Sequence, residues 1–216
     1  MAKRAVPKRK YDSTRRQALA VDTRERVLGA ALKLFSERGY SGTTMQAIAD
    51  EAGIAIQTVY ANFKNKPRVL VALFNVASAP PGEESTPVPA RARPQAVARE
   101  PDQRRQLLMF AQVVADNLTG AAPISEIMVD AARTEPDIQK ILERLEAQRL
   151  EHTALFVSKV VAHGPLRGGL DADSARDIVW TLASPEVFLL LMRDRGWSKD
   201  KYAIWLADML KNALLP

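Results

Sequence analysis

Residues 43–66 read Thr43-Thr44-Met45-Gln46-Ala47-Ile48-Ala49-Asp50-Glu51-Ala52-Gly53-Ile54-Ala55-Ile56-Gln57-Thr58-Val59-Tyr60-Ala61-Asn62-Phe63-Lys64-Asn65-Lys66, and their spacing decides the fold. Met45, Ile48, Ala49 and Ala52 recur at intervals of three and four, so a short helix here buries one face. Thr43 or Thr44 supplies a hydroxyl to cap its start. Gly53 follows the last apolar residue, where a helix end favours a residue at ease with positive φ. Val59 and Phe63 form a second apolar stripe, which leaves Ile56, Gln57, Thr58, Tyr60 and Ala61 wholly or partly outward. Two short helices joined this tightly, the second with a polar and aromatic outer face, predict a helix-turn-helix that fits a major groove.

The preceding segment, Arg24 to Tyr40, adds a third helix with Val27, Leu28, Ala31, Leu34 and Phe35 on its buried face and Gly39 at its end. Phe35, Gly39, Tyr40, Thr43, Thr44, Ile48, Ala49, Ala52, Gly53, Thr58, Tyr60, Phe63 and Lys66 stand in one pattern. Over about the first third of the chain, that pattern closely resembles the DNA-binding domain of the TetR (tetracycline-repressor-type) family. The resemblance implies an all-α protein of about nine helices: an N-terminal three-helix helix-turn-helix domain and a C-terminal helical domain for ligand binding and dimerisation. It also implies that Thr43, Thr44, Ala55, Ile56, Gln57, Thr58, Tyr60, Asn62, Lys64 and Lys66 form the DNA surface. Tyr60, Lys66 and Thr44 then meet phosphates, and Gln57 and Thr58 face bases.

The chain departs from the family after the turn glycine, where Val-Ser is usual and Ile54-Ala55 stand instead. A serine at position 55 would cap the recognition helix, so Ala55 forfeits a contribution of about 1 kcal/mol. Gln57 can bond adenine N6 and N7. Two readings of Ile56 stay open: contact with a thymine methyl group, or packing against the neighbouring helix.

Charge points the same way. The chain carries 31 Lys and Arg against 25 Asp and Glu, a net +6. Residues 1–78 hold 14 basic and 6 acidic side chains, and residues 79–216 hold 17 and 19, so the positive excess lies at the front. A basic end beside a helix-turn-helix is the footprint of phosphate binding. Within residues 1–21, Arg4, Arg9 and Lys10 belong to a basic arm able to enter the minor groove. The alternative is a solubilising tail. Ser13 offers a helix start earlier than Asp22.

The domain expectations are an arm over 1–21, a helix-turn-helix domain over 22–66, a connecting helix over 67–79 and a helical domain over 102–216. Between the last two, residues 80–101 hold six of the chain's 13 prolines and read as a long loop without helix. Beyond it the pattern is helical throughout. One helix ends near Gly120, Pro123 starts another, and Pro136 leads a long one to Gly164-Pro165. Further helices start near Asp171 or Asp173, at Ser184-Pro185-Glu186 and near Ser198.

Val187 to Met192 is apolar around nearly the whole helix, so more than one side must be covered. Either the chain's own core covers both sides, or a second copy meets one. A homodimer seam from Val187, Leu190, Leu191, Trp205, Met209 and Ala213 agrees with the resemblance, since family members pair through their last two helices. On the long helix Gln148 and His152 interrupt the apolar stripe, and a buried polar group needs a partner. That partner is another side chain or a ligand. In the family the C-terminal helices enclose an inducer cavity, which implies Met109, Phe110, Val113, Asn117, Ile127, Met128, Gln148, His152, Phe156 and Trp180 as lining.

Catalysis finds no support: there are two histidines, no cysteine and no acid-His-nucleophile grouping. Gly168-Gly169 lacks the sequel of a phosphate loop. No metal set, cofactor, membrane span or secretory signal is read, and the absence of cysteine suits the cytoplasm. The expectation is a cytoplasmic, non-enzymatic regulator, a repressor released from a palindromic double-stranded operator by a small-molecule inducer.

Overall fold

Thr44 lies in extended backbone ahead of Met45, and its Oγ1 accepts the N–H of Ala47 at 3.0 Å, which starts α2 (Met45–Ala52). Thr43 takes the other role. It is fully buried, with its hydroxyl directed at the carbonyls of Gly39 (2.9 Å) and Leu34 (3.2 Å). Gly53 closes α2 at φ 62°, and its N–H returns to Ala49 and Asp50. The computed structural model describes residues 13–216, with side chains from Leu19 onward. Arg4, Arg9 and Lys10 lie outside the described residues.

α1 (Ser13–Arg38) begins at Ser13, the earlier of the two expected starts, so residues 13–21 of the expected arm are helical, and it buries Val27, Leu28, Ala31, Leu34 and Phe35. α3 (Ile56–Phe63) follows α2 and sinks Val59 and Phe63. Ala55, at the N-cap just before it, makes no side-chain cap. α4 (Lys66–Ala77) comes next, and Asn65 Oδ1 accepts the N–H of Arg68 to cap it. The chain divides into two compact units between Val69 and Leu70, within α4.

In the second unit the proline-rich stretch departs from the expected loop. It carries a short 3₁₀ turn at Val88–Ala90 and a helix, α5 (Ala92–Arg99). Pro94 falls in the first turn of α5, where its missing N–H costs nothing. The turn is held from within. Arg91, 6% exposed, donates to the carbonyls of Ser78 (2.6 Å) and Thr86 (3.0 Å), and Val97 is buried.

α6 (Gln103–Ala132) is a second correction, because one helix passes through both Gly120 and Pro123. Pro123 removes a backbone bond, but Ala115, Ala122, Ile124 and Met128 are buried on either side of it, and that packing offsets the loss. By length and composition α6 could cross a bilayer. It is instead a central helix, packed by α5, α7 (Pro136–His163), α9 (Pro185–Leu189) and α10 (Lys199–Leu214). α8 (Ala172–Leu182) is capped by Asp171, whose carboxylate accepts the N–H of Ser174 at 2.7 Å. α9 runs on into a π-helical turn over Leu190–Asp194. Among the described residues no strand occurs.

Gly120 is where α6 meets the end of α4, for a Cβ built there would run into the carbonyl oxygen of Ala77. Alanine in a helix interior normally stabilises by about 1 kcal/mol relative to glycine. Gly120→Ala should reverse that sign and cost about 1–3 kcal/mol by overpacking. Urea denaturation of the purified variant checks it.

Candidate nucleic-acid interface and ligand cavity

The outward face of α3 is built by what lies beneath it. With Val59 and Phe63 buried, Gln57, Thr58, Ala61 and Asn62 are exposed and Tyr60 is 49% exposed. Ile56 is half-buried, so both readings of it retain part of the side chain. Ala55 and Lys64 are exposed, and Lys64 ends the helix at a positive φ of 62°. Asn62 Nδ2 donates to Thr58 O at 2.8 Å. Thr44 is exposed, and since its oxygen accepts from the backbone, its O–H stays available to donate.

Two of the expected DNA residues make contacts within their own unit. Thr43 is buried with its hydroxyl occupied, as described, and presents nothing to solvent. Lys66 is only half-exposed: its Nζ donates to Tyr40 O (2.9 Å) and Thr43 O (3.0 Å) and lies 4.0 Å from the centre of the Tyr40 ring. The ammonium thus staples the α1–α2 turn to the start of α4. Arg26 does the same for the end of α2, donating to Ala52 O at 2.7 Å. These donors stand 23 or 26 residues from their acceptors, and no local pattern announces them. Asn65 before Lys66-Pro67, by contrast, is a cap signal that the sequence did carry.

The second unit encloses a cavity of about 630 Å³, within the range of small-molecule sites. α6 contributes a stripe at Phe110, Val113, Asn117, Ala121, Ser125 and Met128, which is continuous only because the helix crosses Pro123. Gln148, His152 and Phe156 of α7 face it, and Phe110 and Phe156 stack with centroids 3.8 Å apart. Seven of the ten expected lining residues therefore meet. Met109 and Ile127 each fall one position off the α6 stripe and lie outside. Trp180 also lies outside, beneath the Arg149 guanidinium at 4.0 Å.

The sequence reading missed Arg149 and Glu146, which pair at 3.0 Å in the cavity wall, and Phe74, Val88, Pro89 and Pro94. The last three fall in the stretch expected to be a loop. His152 makes no hydrogen bond to another described residue, and burial holds its pKa below the ordinary value, so the imidazole is neutral at pH 7.

The expected seam residues are all at least partly exposed in the single chain. Leu190 is 54% exposed, and Val187, Leu191, Trp205, Met209 and Ala213 are half-buried. Phe188 turns inward on the Tyr202 ring. Ile204 on α10, not among the expected residues, is 59% exposed.

Comparison with known proteins agrees with this architecture. Residues 27–73 match the model of bacterial regulatory proteins of the tetR family. The uncharacterised HTH-type transcriptional regulator YvkB of Bacillus subtilis is 40% identical over 53 residues, 24% of this chain and 28% of that one. The HTH-type transcriptional repressor KstR of Rhodococcus jostii is 30% identical over 152 residues, 65% of this chain and 68% of that one. Among solved structures, the SmeT–triclosan complex superposes with a TM-score of 0.67 at 20% identity, covering 90% of this chain and 92% of that one. A three-helix unit that leaves the polar face of α3 uncovered, an all-helical second unit and a repressor relative matched through most of its length lead to one assignment: this chain belongs to the TetR family of DNA-binding transcriptional regulators.

Proposed function

We propose that the chain acts in the cytoplasm as a homodimeric repressor that binds a palindromic operator and leaves it when a small molecule fills the cavity of the second unit. The observation that carries this reading is the pairing of an uncovered polar face on α3 with a separate, largely apolar cavity bounded in part by α4. Gln57 and Thr58 face base edges, and Tyr60, Lys64 and the Thr44 hydroxyl meet phosphates. Lys66 supports this surface from behind. The complex of the similar protein SmeT with triclosan supports a cavity of this kind as a ligand site.

Release is a population shift, in which the inducer binds the DNA-incompetent form more tightly. α4 carries Phe74 in the cavity wall and Lys66 at its other end, so a displacement along one helix connects the two. Moving occupancy from almost full to almost empty requires about 5.5 kcal/mol of differential affinity. Operator DNA must weaken inducer binding by the same factor.

Base readout is tested by Gln57→Ala, which should relax preference at one base pair of each half-site by about 1–3 kcal/mol. Tyr60→Phe should weaken all sequences alike. Quantitative binding to an operator and its single-base variants separates the two effects. Unchanged affinity and selectivity in both variants would remove α3 from the interface.

A further inference from the structure

The charges around the cavity are unequally satisfied, and this points to a class of ligand. The lining includes four ionisable side chains besides the neutral His152: Arg99, Glu146, Arg149 and Lys159. Glu146, the lone acid, is taken by Arg149, whose Nε and Nη2 both donate to one of its oxygens at 3.2 and 3.0 Å. Arg149 also donates to the carbonyl of Trp180 at 2.7 Å and stacks on that ring. The charge of this half-buried pair is therefore balanced.

Arg99 and Lys159 are different. Both are exposed, and neither forms an ion pair with a described residue. Arg99 reaches only the amide oxygen of Gln95, at 3.3 Å. The unpaired charge on the lining is thus wholly positive and lies at its solvent-facing parts, while the rest is largely aromatic and aliphatic around the stacked Phe110–Phe156 pair, with Asn117, Ser125 and Thr153 among its neutral polar members.

An apolar interior with a cationic rim suits a molecule of matching polarity. A cationic ligand would meet unpaired cations and no free carboxylate. An uncharged ligand would leave the rim unused. From this we infer that the cavity takes an anionic amphiphile, with its apolar body against Phe110 and Phe156 and its acidic head at Arg99 and Lys159. The inference rests on reading the cavity as the effector site. The head group is a carboxylate, phosphate or sulfonate, since the rim recognises negative charge on an oxygen-bearing group.

A matched pair of fluorescent probes tests charge separately from the cavity. 8-Anilinonaphthalene-1-sulfonate and N-phenyl-1-naphthylamine share a ring skeleton and differ by one sulfonate. Titrated into the purified full chain at low salt, the sulfonate should bind at least about tenfold more tightly, although the uncharged probe is the more apolar. Arg99→Ala combined with Lys159→Ala, both at exposed positions, should abolish that preference and leave the uncharged probe's affinity unchanged. Val113→Trp should displace both probes by filling the cavity, with folding checked by circular dichroism.

Equal or tighter binding of the uncharged probe would overturn the charge inference and leave the cavity as effector site intact. A sulfonate preference that survives in the double variant would overturn the assignment of the head to Arg99 and Lys159. Failure of both probes to bind, or binding undiminished in folded Val113→Trp, would remove the cavity reading and the inference with it.

Discussion

Ile204→Glu and Leu190→Glu are expected to give folded chains that sediment as monomers and lose operator affinity by more than about a hundredfold, equivalent to about 2.7 kcal/mol. Both side chains are more than half exposed in the isolated chain, so a glutamate at either position stays hydrated in the monomer and costs its fold little. In the proposed dimer the same carboxylate is buried without a partner, which costs several kcal/mol. The loss at the operator follows because one helix-turn-helix holds half of the contacts of a two-fold site. Met209→Glu is a less selective test, since Met209 is half-buried in its own chain. Sedimentation and operator titration on the same preparations check the expectation. Dimers that persist in both exposed variants would place the seam elsewhere.

The second large effect is expected from Lys66→Met. Its ammonium donates to two backbone carbonyls, and charge-assisted hydrogen bonds contribute about 1.5–3 kcal/mol. Tyr40 O keeps the N–H of Thr43 as a donor at 3.2 Å, whereas Thr43 O loses the ammonium. Methionine preserves most of the apolar stem, so the helix-turn-helix unit should lose about 2 kcal/mol of stability, read by chemical denaturation. The salt dependence of operator binding should not change once the folded fraction is matched. A lysine that met a phosphate would behave in the opposite way: the slope of log affinity against log salt would fall by about one unit with stability intact.

These two residues show what a sequence discloses and what it withholds. The helix pair was legible because Met45, Ile48, Ala49, Ala52, Val59 and Phe63 repeat at helical spacing and Gly53 marks the turn, all of it local information. The roles of Thr43 and Thr44 were not separable, since either hydroxyl suits a cap and only the packing of α1 decides which one is buried. Lys66 matches a family position, but the pattern gives identity rather than direction, and its acceptors lie 23 and 26 residues away.

In the second unit, proline was read too strictly. Pro94 sits in a helix's first turn, and Pro123 is carried by a helix whose flanking residues are buried, so tertiary packing overrode the local signal. That error also concealed the cavity's outer wall, which includes Val88, Pro89 and Pro94. The inner wall was largely legible, because the α6 and α7 stripes keep their period. Glu146 and Arg149 were not legible, because opposite charges three residues apart on a helix do not distinguish solvent from a cavity.

The central claim, a two-fold regulator reading DNA through α3, is most directly measured by selecting fragments of the source genome on the purified full chain and sequencing what is retained. The account predicts enrichment of a motif with two-fold symmetry, its half-sites about one helical turn or more apart, and loss of preference at one symmetry-related base pair in Gln57→Ala. Fragments retained without any shared sequence, or a single unrepeated motif that Gln57→Ala binds unchanged, would contradict it.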